Sequence, residues 1–252
     1  MLKAARQISD TRFVRAWIPI AVAAVAALAL APAALADTSA SANWAGYAVH
    51  RPGISFRKVS ASWRQPTASC TAGNRSFSAF WVGLGGFSPT SNALEQIGTE
   101  TDCDLAGDAV LSAWYELVPA PSTPIRLAVR PGDLISAGVT VTGRRVTLTL
   151  TDATRHRGFS KTLAASAVDV SSAEWIVEAP SDCININSCE TLPLANFGTA
   201  QFTAARAVGA RGHAGPISPA PWRNTKIVLT PGGRRFVVYL GNGASGGAAT
   251  PS

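Results

Sequence analysis

The stretch AEWIVEAP, residues 173–180, sets two carboxylates, Glu174 and Glu178, into an alternation of apolar residues. Side chains alternate between the two faces of a strand. Trp175 and Val177 are therefore expected to enter a core, and Glu174, Ile176 and Glu178 to share the opposite face. Burial disfavours the charged form of an acid, so Glu178, where Ala179 and Pro180 must end the strand, is a candidate general acid or base. Taken alone, the stretch reads more simply as an edge strand with solvated glutamates. Three further segments combine core aromatics with a polar group. In SAFWVGLGG, Trp81 faces opposite to Phe80, Val82 and Leu84, and the following glycines let another chain approach closely. In LSAWYELVP, Trp114, Glu116 and Val118 share a face. In NALEQIGTE, Leu94, Gln96 and Gly98 share one, and a buried glutamine must find hydrogen-bond partners. Each has a structural explanation singly: a core tryptophan, a surface glutamate, a satisfied amide. Their joint occurrence points to a site.

The elements that would position these residues are strands. From Asn43 onward, short segments rich in Val, Ile, Thr, Trp and Phe alternate with Gly, Pro, Asn and Asp, with no long helical periodicity. Candidate strands run over 44–50, 59–65, 77–84, 94–99, 110–118, 125–129, 134–141, 146–152, 159–163, 173–178, 201–206, 226–229 and 235–240. So many strands exceed one small flat sheet. The expected fold is all-β, an antiparallel double-sheet β-sandwich of the lectin-like (concanavalin-like) kind, with tight reversals at Gly143 and at Pro231-Gly232-Gly233. No internal repeat is present.

Residues 1–36 read as a secretory signal peptide, with Lys3, Arg6, Arg12 and Arg15 as its basic region, Trp17 to Pro32 as its apolar region and Ala34-Leu35-Ala36 as its cleavage site. A secreted, extracellular protein follows, with one domain over 37–240 and a Gly/Ala/Ser-rich flexible tail over 241–252. Of the formal net charge of +7, the signal holds four basic residues and Asp10, which leaves the rest mildly basic. Arg144-Arg145 and Arg234-Arg235 are isolated pairs, so the pattern excludes a nucleic-acid footprint. No membrane association is expected once the signal is cleaved, and a monomer is the expected state. The acids are less evenly spread: Glu95, Glu100, Asp102, Asp104, Asp108 and Glu116 lie in one segment, and Asp169, Glu174, Glu178, Asp182 and Glu190 in another. If the two segments meet, the negative site they form raises carboxyl pKa values and favours cationic ligands or a metal. Four cysteines in an exported chain suggest two disulfides. Cys183 and Cys189 enclose a short loop, and Cys70 and Cys103 pair by elimination. His50, His156 and His213 lie far apart and no Cys-x-x-Cys exists, so neither a metal nor another cofactor is expected.

The motifs SANWAGYAV, WRQPT, AFWVGLGG, LEQIGT, AWYELVP, RPGDLI, AEWIVEAP and CININSCETLPLANFG occur in an order and at spacings that resemble the glutamic peptidases, or eqolisins, best known as fungal secreted acid proteases. The resemblance covers most of residues 41–198. It implies a double-sheet sandwich and endopeptidase activity on polypeptide substrates. It also implies that Gln96, in LEQIGT, and Glu178, closing AEWIVE, are the catalytic pair, with Trp81 and Glu116 at the same site; Trp114 and Glu174 are further candidates for its walls. The implied chemistry is water attack activated by Glu178, with Gln96 stabilising the oxyanion and no covalent intermediate. Two departures stand out. The fungal counterpart of WVGLGG has an aspartate where this chain has Gly85, so a supporting carboxylate is missing there. NWAGY follows the expected cleavage site so closely that no room remains for a substantial propeptide, and any latency would have to come from pH. Two other readings suit a sandwich: a glycoside hydrolase using Glu116 and Glu178, which leaves Gln96 idle, and a non-catalytic carbohydrate- or calcium-binding module using loops 100–108 and 182–190. The Gly-x-Ser-x-Gly at Ser245 lacks a strand-turn-helix context and is read as chance.

Overall fold

The computed structural model describes residues 37–185, 188–218 and 222–229, the side chains of 183–188 aside, together with the backbone of short strands at 236–237, 240–241 and 250–251. The expected signal peptide, the turn at Pro231-Gly232-Gly233 and most of the tail lie outside them. Every described element is a strand. In chain order they are β1 (Asp37–Ser41), β2 (Trp44–His50), β3 (Phe56–Arg64), β4 (Ala79–Gly85), β5 (Leu94–Cys103), β6 (Ala109–Val118), β7 (Thr123–Ile125), β8 (Leu134–Thr142), β9 (Arg145–Asp152) and β10 (Arg157–Ala164). They continue with β11 (Ser172–Glu178), β12 (Ser181–Asn185), β13 (Ser188–Thr191), β14 (Phe202–Gly209), β15 (Ala214–Gly215), β16 (Arg223–Leu229), β17 (Phe236–Val237), β18 (Leu240–Gly241) and β19 (Thr250–Pro251).

Two sheets and a hairpin result. The larger sheet has the order β19-β17-β16-β2-β11-β4-β5-β6-β7, with β1 also on β16; the smaller has the order β10-β9-β8-β3-β14-β15, with β18 also on β14. Pairing is antiparallel except for β1 with β16 and β14 with β18. The hairpin of β12 and β13 stands apart from both sheets. The segment 125–129 departs from the sequence-based expectation: only Ile125 is paired, at the end of β7, while Leu127 and Val129 reach the core from irregular backbone. In the tail, Gly241 and Thr250–Pro251 take part in short pairings.

Strand β9 shows why these sequences make sheet. Val146, Leu148 and Leu150 are fully buried while Arg145, Thr149 and Thr151 face water, the period-2 pattern of a half-buried strand. Each such aliphatic side chain contributes about 1.5–3 kcal/mol on burial. The interior lies between the sheets and holds Phe80, Val82, Ile97, Tyr115, Trp175 and Val177 from the larger sheet against Val59, Trp63, Ile135, Leu148 and Phe202 from the smaller. Two indoles tie the layers with hydrogen bonds as well as area. Trp175 Nε1 donates to the Ser60 carbonyl at 2.9 Å, and Trp63 Nε1 to Thr99 Oγ1 at 3.1 Å.

The central strands β4 and β11 differ from β9. Every residue of β4 is buried, and every residue of β11 except Glu178. Both faces of the larger sheet are therefore covered there. On the outer face, a second apolar cluster of Ala48, Ala79, Trp81, Leu94, Trp114, Ile176 and Ile227 accounts for the cover. An outer sheet face paved in this way, with carboxylates at its border, is where a site can exclude water.

Candidate active site

Five adjacent strands of the larger sheet, β2, β11, β4, β5 and β6, supply the polar groups. The alternation of β11 sends Trp175 and Val177 inward, and Ile176 joins the outer cluster. Glu178 ends the strand opposite Trp44 on one side and Ala79 on the other. Its carboxylate is gripped by two side-chain donors: Trp81 Nε1 to Oε2 at 2.8 Å and Asn43 Nδ2 to Oε1 at 3.0 Å. The Trp81 ring is held by an edge contact with Trp44, with centroids 5.0 Å apart. Beneath it lies Gly98, where an added Cβ would fall 2.6 Å from Trp81 Cβ and 2.3 Å from the Phe80 carbonyl. Only a residue without a side chain lets this tryptophan seat.

Gln96 on β5 is opposite Glu116 on β6, and its Nε2 donates to Glu116 Oε2 at 2.6 Å. That bond uses one of two amide hydrogens. The carbonyl oxygen Oε1 is buried with no partner among the described residues, so one donor and one acceptor of Gln96 remain for a bound molecule. Gln96, Glu116, Glu178 and Trp114 all line one cavity of about 180 Å³, together with Ala79, Glu100, Ser122, Pro180 and Ser181. The pair Gln96 and Glu178 is diagonal across the sheet: β4 aligns Gln96 with Gly83, and Glu178 with Ala79.

The electrostatics follow from the burial. Glu178 is pushed up to about 7, first by desolvation and further by Glu116, against the lowering effect of the neighbouring Trp81, Trp44 and Asn43 side chains. Glu116 is also raised by desolvation, an effect moderated by the Gln96 amide. A carboxyl near 7 holds or releases a proton with small driving force, which suits proton transfer in either direction. Two carboxyls, a neutral amide and an apolar wall can activate a water and stabilise a developing oxyanion.

Glu174 does not join this group. It lies on β11 on the far side of Ile176 from Glu178 and is fully buried, with the Ser172 side chain as its neutral polar neighbour. Its electrostatic neighbours are Asp169 and Glu95; desolvation, and then those two carboxyls, raise it well above the ordinary range. Glu95 Oε1 accepts from the Asp169 amide at 3.4 Å, and desolvation pushes Glu95 up to about 8. Burial acts to raise Asp169 too, but hydrogen bonds from Ser91, Ser171 and Gly86 outweigh it and hold that carboxyl below its usual value. Glu174, expected as a wall residue of the site, is thus part of a second, separate carboxyl cluster.

The sequence does not single out Asn43, Trp44 or Glu100 as site residues. Asn43 and Trp44 sit in the SANWAGYAV motif, whose composition carries the only signal; that β2 lies beside β11 follows from sheet order alone. The expected disulfide between Cys70 and Cys103 is formed, with a sequence separation of 33. Cys189 is disulfide-bonded, and β12 and β13 set it opposite Cys183, whose side chain lies outside the described residues. Among the described residues, no three His, Cys, Asp or Glu side chains come together as metal ligands.

A double-sheet sandwich that brings a glutamate and a glutamine to one cavity is the arrangement that the resemblance to the glutamic peptidases implies. A model of the Peptidase A4 family matches residues 42–230, and the chain belongs to that family and is a glutamic-type endopeptidase. Among solved structures, scytalido-glutamic peptidase with a transition state analog inhibitor is similar at 26% identity and a TM-score of 0.66, over 84% of this chain and 98% of that one. SCP-B, a member of the eqolisin family in complex with the tripeptide Ala-Ile-His, shares the fold at 24% identity and a TM-score of 0.61, over 84% of this chain and 98% of that one. Aspergilloglutamic peptidase from Aspergillus niger does so at 24% identity and 0.56, over 70% and 98%. No curated relative matches the chain by sequence.

Proposed function

We propose that this endopeptidase is exported and cleaves polypeptides through Glu178 and Gln96. The observation that carries the reading is their convergence on one cavity, with Glu178 held by two donors and Gln96 oriented by Glu116. In this scheme the ionised Glu178 takes a proton from a water that attacks the scissile carbonyl. The free N–H of Gln96 donates to the oxyanion, and its Oε1 accepts from the water. Glu178 then returns the proton to the departing amine, and no bond to the enzyme forms. Glu116 keeps the Gln96 amide turned the right way, and Trp81 and Trp114 exclude solvent. Export is supported by the basic-apolar leader and the disulfides, which persist in oxidising compartments.

The pH reading rests on two opposed trends. Below about 7 the base form of Glu178 becomes scarce, while above that value the buried Glu95 and Glu174 come under pressure to ionise. Together the two trends point to a rate maximum near neutrality. The glycosidase alternative requires Glu116 as an independent acid, whereas Glu116 is engaged by Gln96, so the peptidase reading accounts for one more group.

Digestion of an unfolded protein by the chain without residues 1–36, scanned from about pH 2 to pH 8, tests the reading. Glu178→Gln and Gln96→Ala are expected to abolish cleavage while retaining the fold by circular dichroism. Full activity in Glu178→Gln, or no cleavage by the folded wild type at any pH, overturns it.

A further inference from the structure

Glu100 takes no part in the scheme of Glu178 and Gln96, yet it lines the same cavity. The register explains how. Ala79 on β4 is opposite Glu100 on one side and Glu178 on the other, so the two carboxylates flank the small side chain of a single alanine on one sheet face. Glu100 is half-buried, and Ser112 Oγ, directly opposite on β6, donates to its Oε1. Among the described residues, no lysine or arginine lines the cavity. The ion pairs among those residues engage Asp133, Asp152 and Asp37, never Glu100.

Two further atoms show that the cavity is built for an occupant. Gln96 is 5% exposed and Trp114 is 8% exposed, yet among the described residues Gln96 Oε1 and Trp114 Nε1 have no partner. Gln96 Oε1 is the acceptor for the attacking water, the Trp114 donor matches a C=O of an extended peptide backbone, and unpaired buried polar groups are costly unless a ligand completes them. The side chains of that peptide then meet a wall whose charged groups, Glu100, Glu116 and Glu178, are all carboxyls. Glu116 is committed to Gln96 and Glu178 to Trp81 and Asn43. Glu100, held only by a neutral hydroxyl, is the carboxylate left to read a substrate side chain.

We propose that Glu100 is a specificity-determining residue of this cleft, selecting peptides that carry a lysine or arginine side chain close to the scissile bond. The inference rests on the peptidase reading of the site. A half-exposed carboxylate meeting an ammonium group in a cleft of this kind changes relative kcat/KM by about five- to tenfold.

The test uses one peptide backbone whose cleaved bond has been located by mass spectrometry. Lysine, norleucine or glutamate is placed in turn at each of the neighbouring positions, and kcat/KM is measured for the wild type, Glu100→Gln and Glu100→Lys. The wild type is expected to favour lysine over norleucine at one position by about five- to tenfold. Glu100→Gln should bring that ratio close to one, and Glu100→Lys should turn the preference toward glutamate. A lysine preference that survives both substitutions, or a wild type that cleaves the norleucine peptides and shows no preference anywhere, overturns this inference and leaves the peptidase reading standing. A folded wild type that cleaves none of the peptides overturns both. Because the readout is a ratio within each variant, a general loss of activity or stability does not imitate the effect.

Discussion

A Cβ placed on Gly85 would lie 2.5 Å from the Cβ of Asp169 and 2.9 Å from its Cγ. The position that lacks the expected aspartate is therefore occupied in space by another aspartate, brought from the loop before β11. Gly86 N and Ser91 Oγ, on the chain that follows Gly85, both donate to Asp169 Oδ2.

Gly85 adopts φ +82° as well as this close contact. Gly85→Ala is expected to lower stability by about 1–3 kcal/mol, through strain and overpacking. Thermal unfolding checks it, and the double variant Gly85→Asp with Asp169→Gly should recover part of the loss by relocating the carboxylate. No recovery would mean that the loop, rather than the carboxylate, is what Asp169 secures.

Stability should fall as pH rises. Glu95, at about 8, and Glu174, well above the ordinary range, are protonated in the folded chain where the unfolded chain has them ionised. The folded state thus binds more protons. Its advantage is complete below the ordinary glutamate value of about 4.3 and is lost as pH climbs toward the raised values. Each carboxyl contributes a slope of about 1.4 kcal/mol per pH unit in that window. Tm measured from about pH 4 to pH 8 should decline, and Glu95→Gln should flatten the decline. A Tm that rises toward neutrality would contradict a protonated Glu95 and Glu174 in the folded chain.

The donors to Glu178 set its proton affinity. Hydrogen bonds to the charged form lower a carboxyl pKa, so removing one raises it. Trp81→Phe and Asn43→Ala are each expected to move the acidic limb of the kcat/KM profile to higher pH, with activity at a fixed acidic pH reduced. An acidic limb that stays in place in both variants would show that another group governs it.

The Cys70–Cys103 bridge ties the end of β5, and hence the strand of Gln96, to the segment after β3. Replacing both cysteines with serine is expected to cost about 2–4 kcal/mol of stability. Denaturant unfolding of the double variant measures it. The loss should appear as a lower midpoint, with activity below the transition largely retained.

The sequence alone determined most of the longer strands, which residues share a face in the four strands that carry the site, and the identity of Gln96, Glu116, Trp81 and Glu178 as unusual residues. It could do so because alternation is a local property, and because a polar residue on an apolar face is visible without knowing its neighbours. What it left open is which strands lie side by side. Sheet order sets β2 against β11, which brings Asn43 and Trp44 to Glu178, and β4 between β11 and β5, which puts Glu100 across Ala79 from the same carboxylate. Glu174, four residues from Glu178 on the same strand, does not line the cavity. Pairing joins residues far apart in the chain through backbone hydrogen bonds that every amino acid except proline can make on both sides. Sequence specifies that pairing only through the packing of the complete fold, so the membership of the site was decided by the tertiary structure.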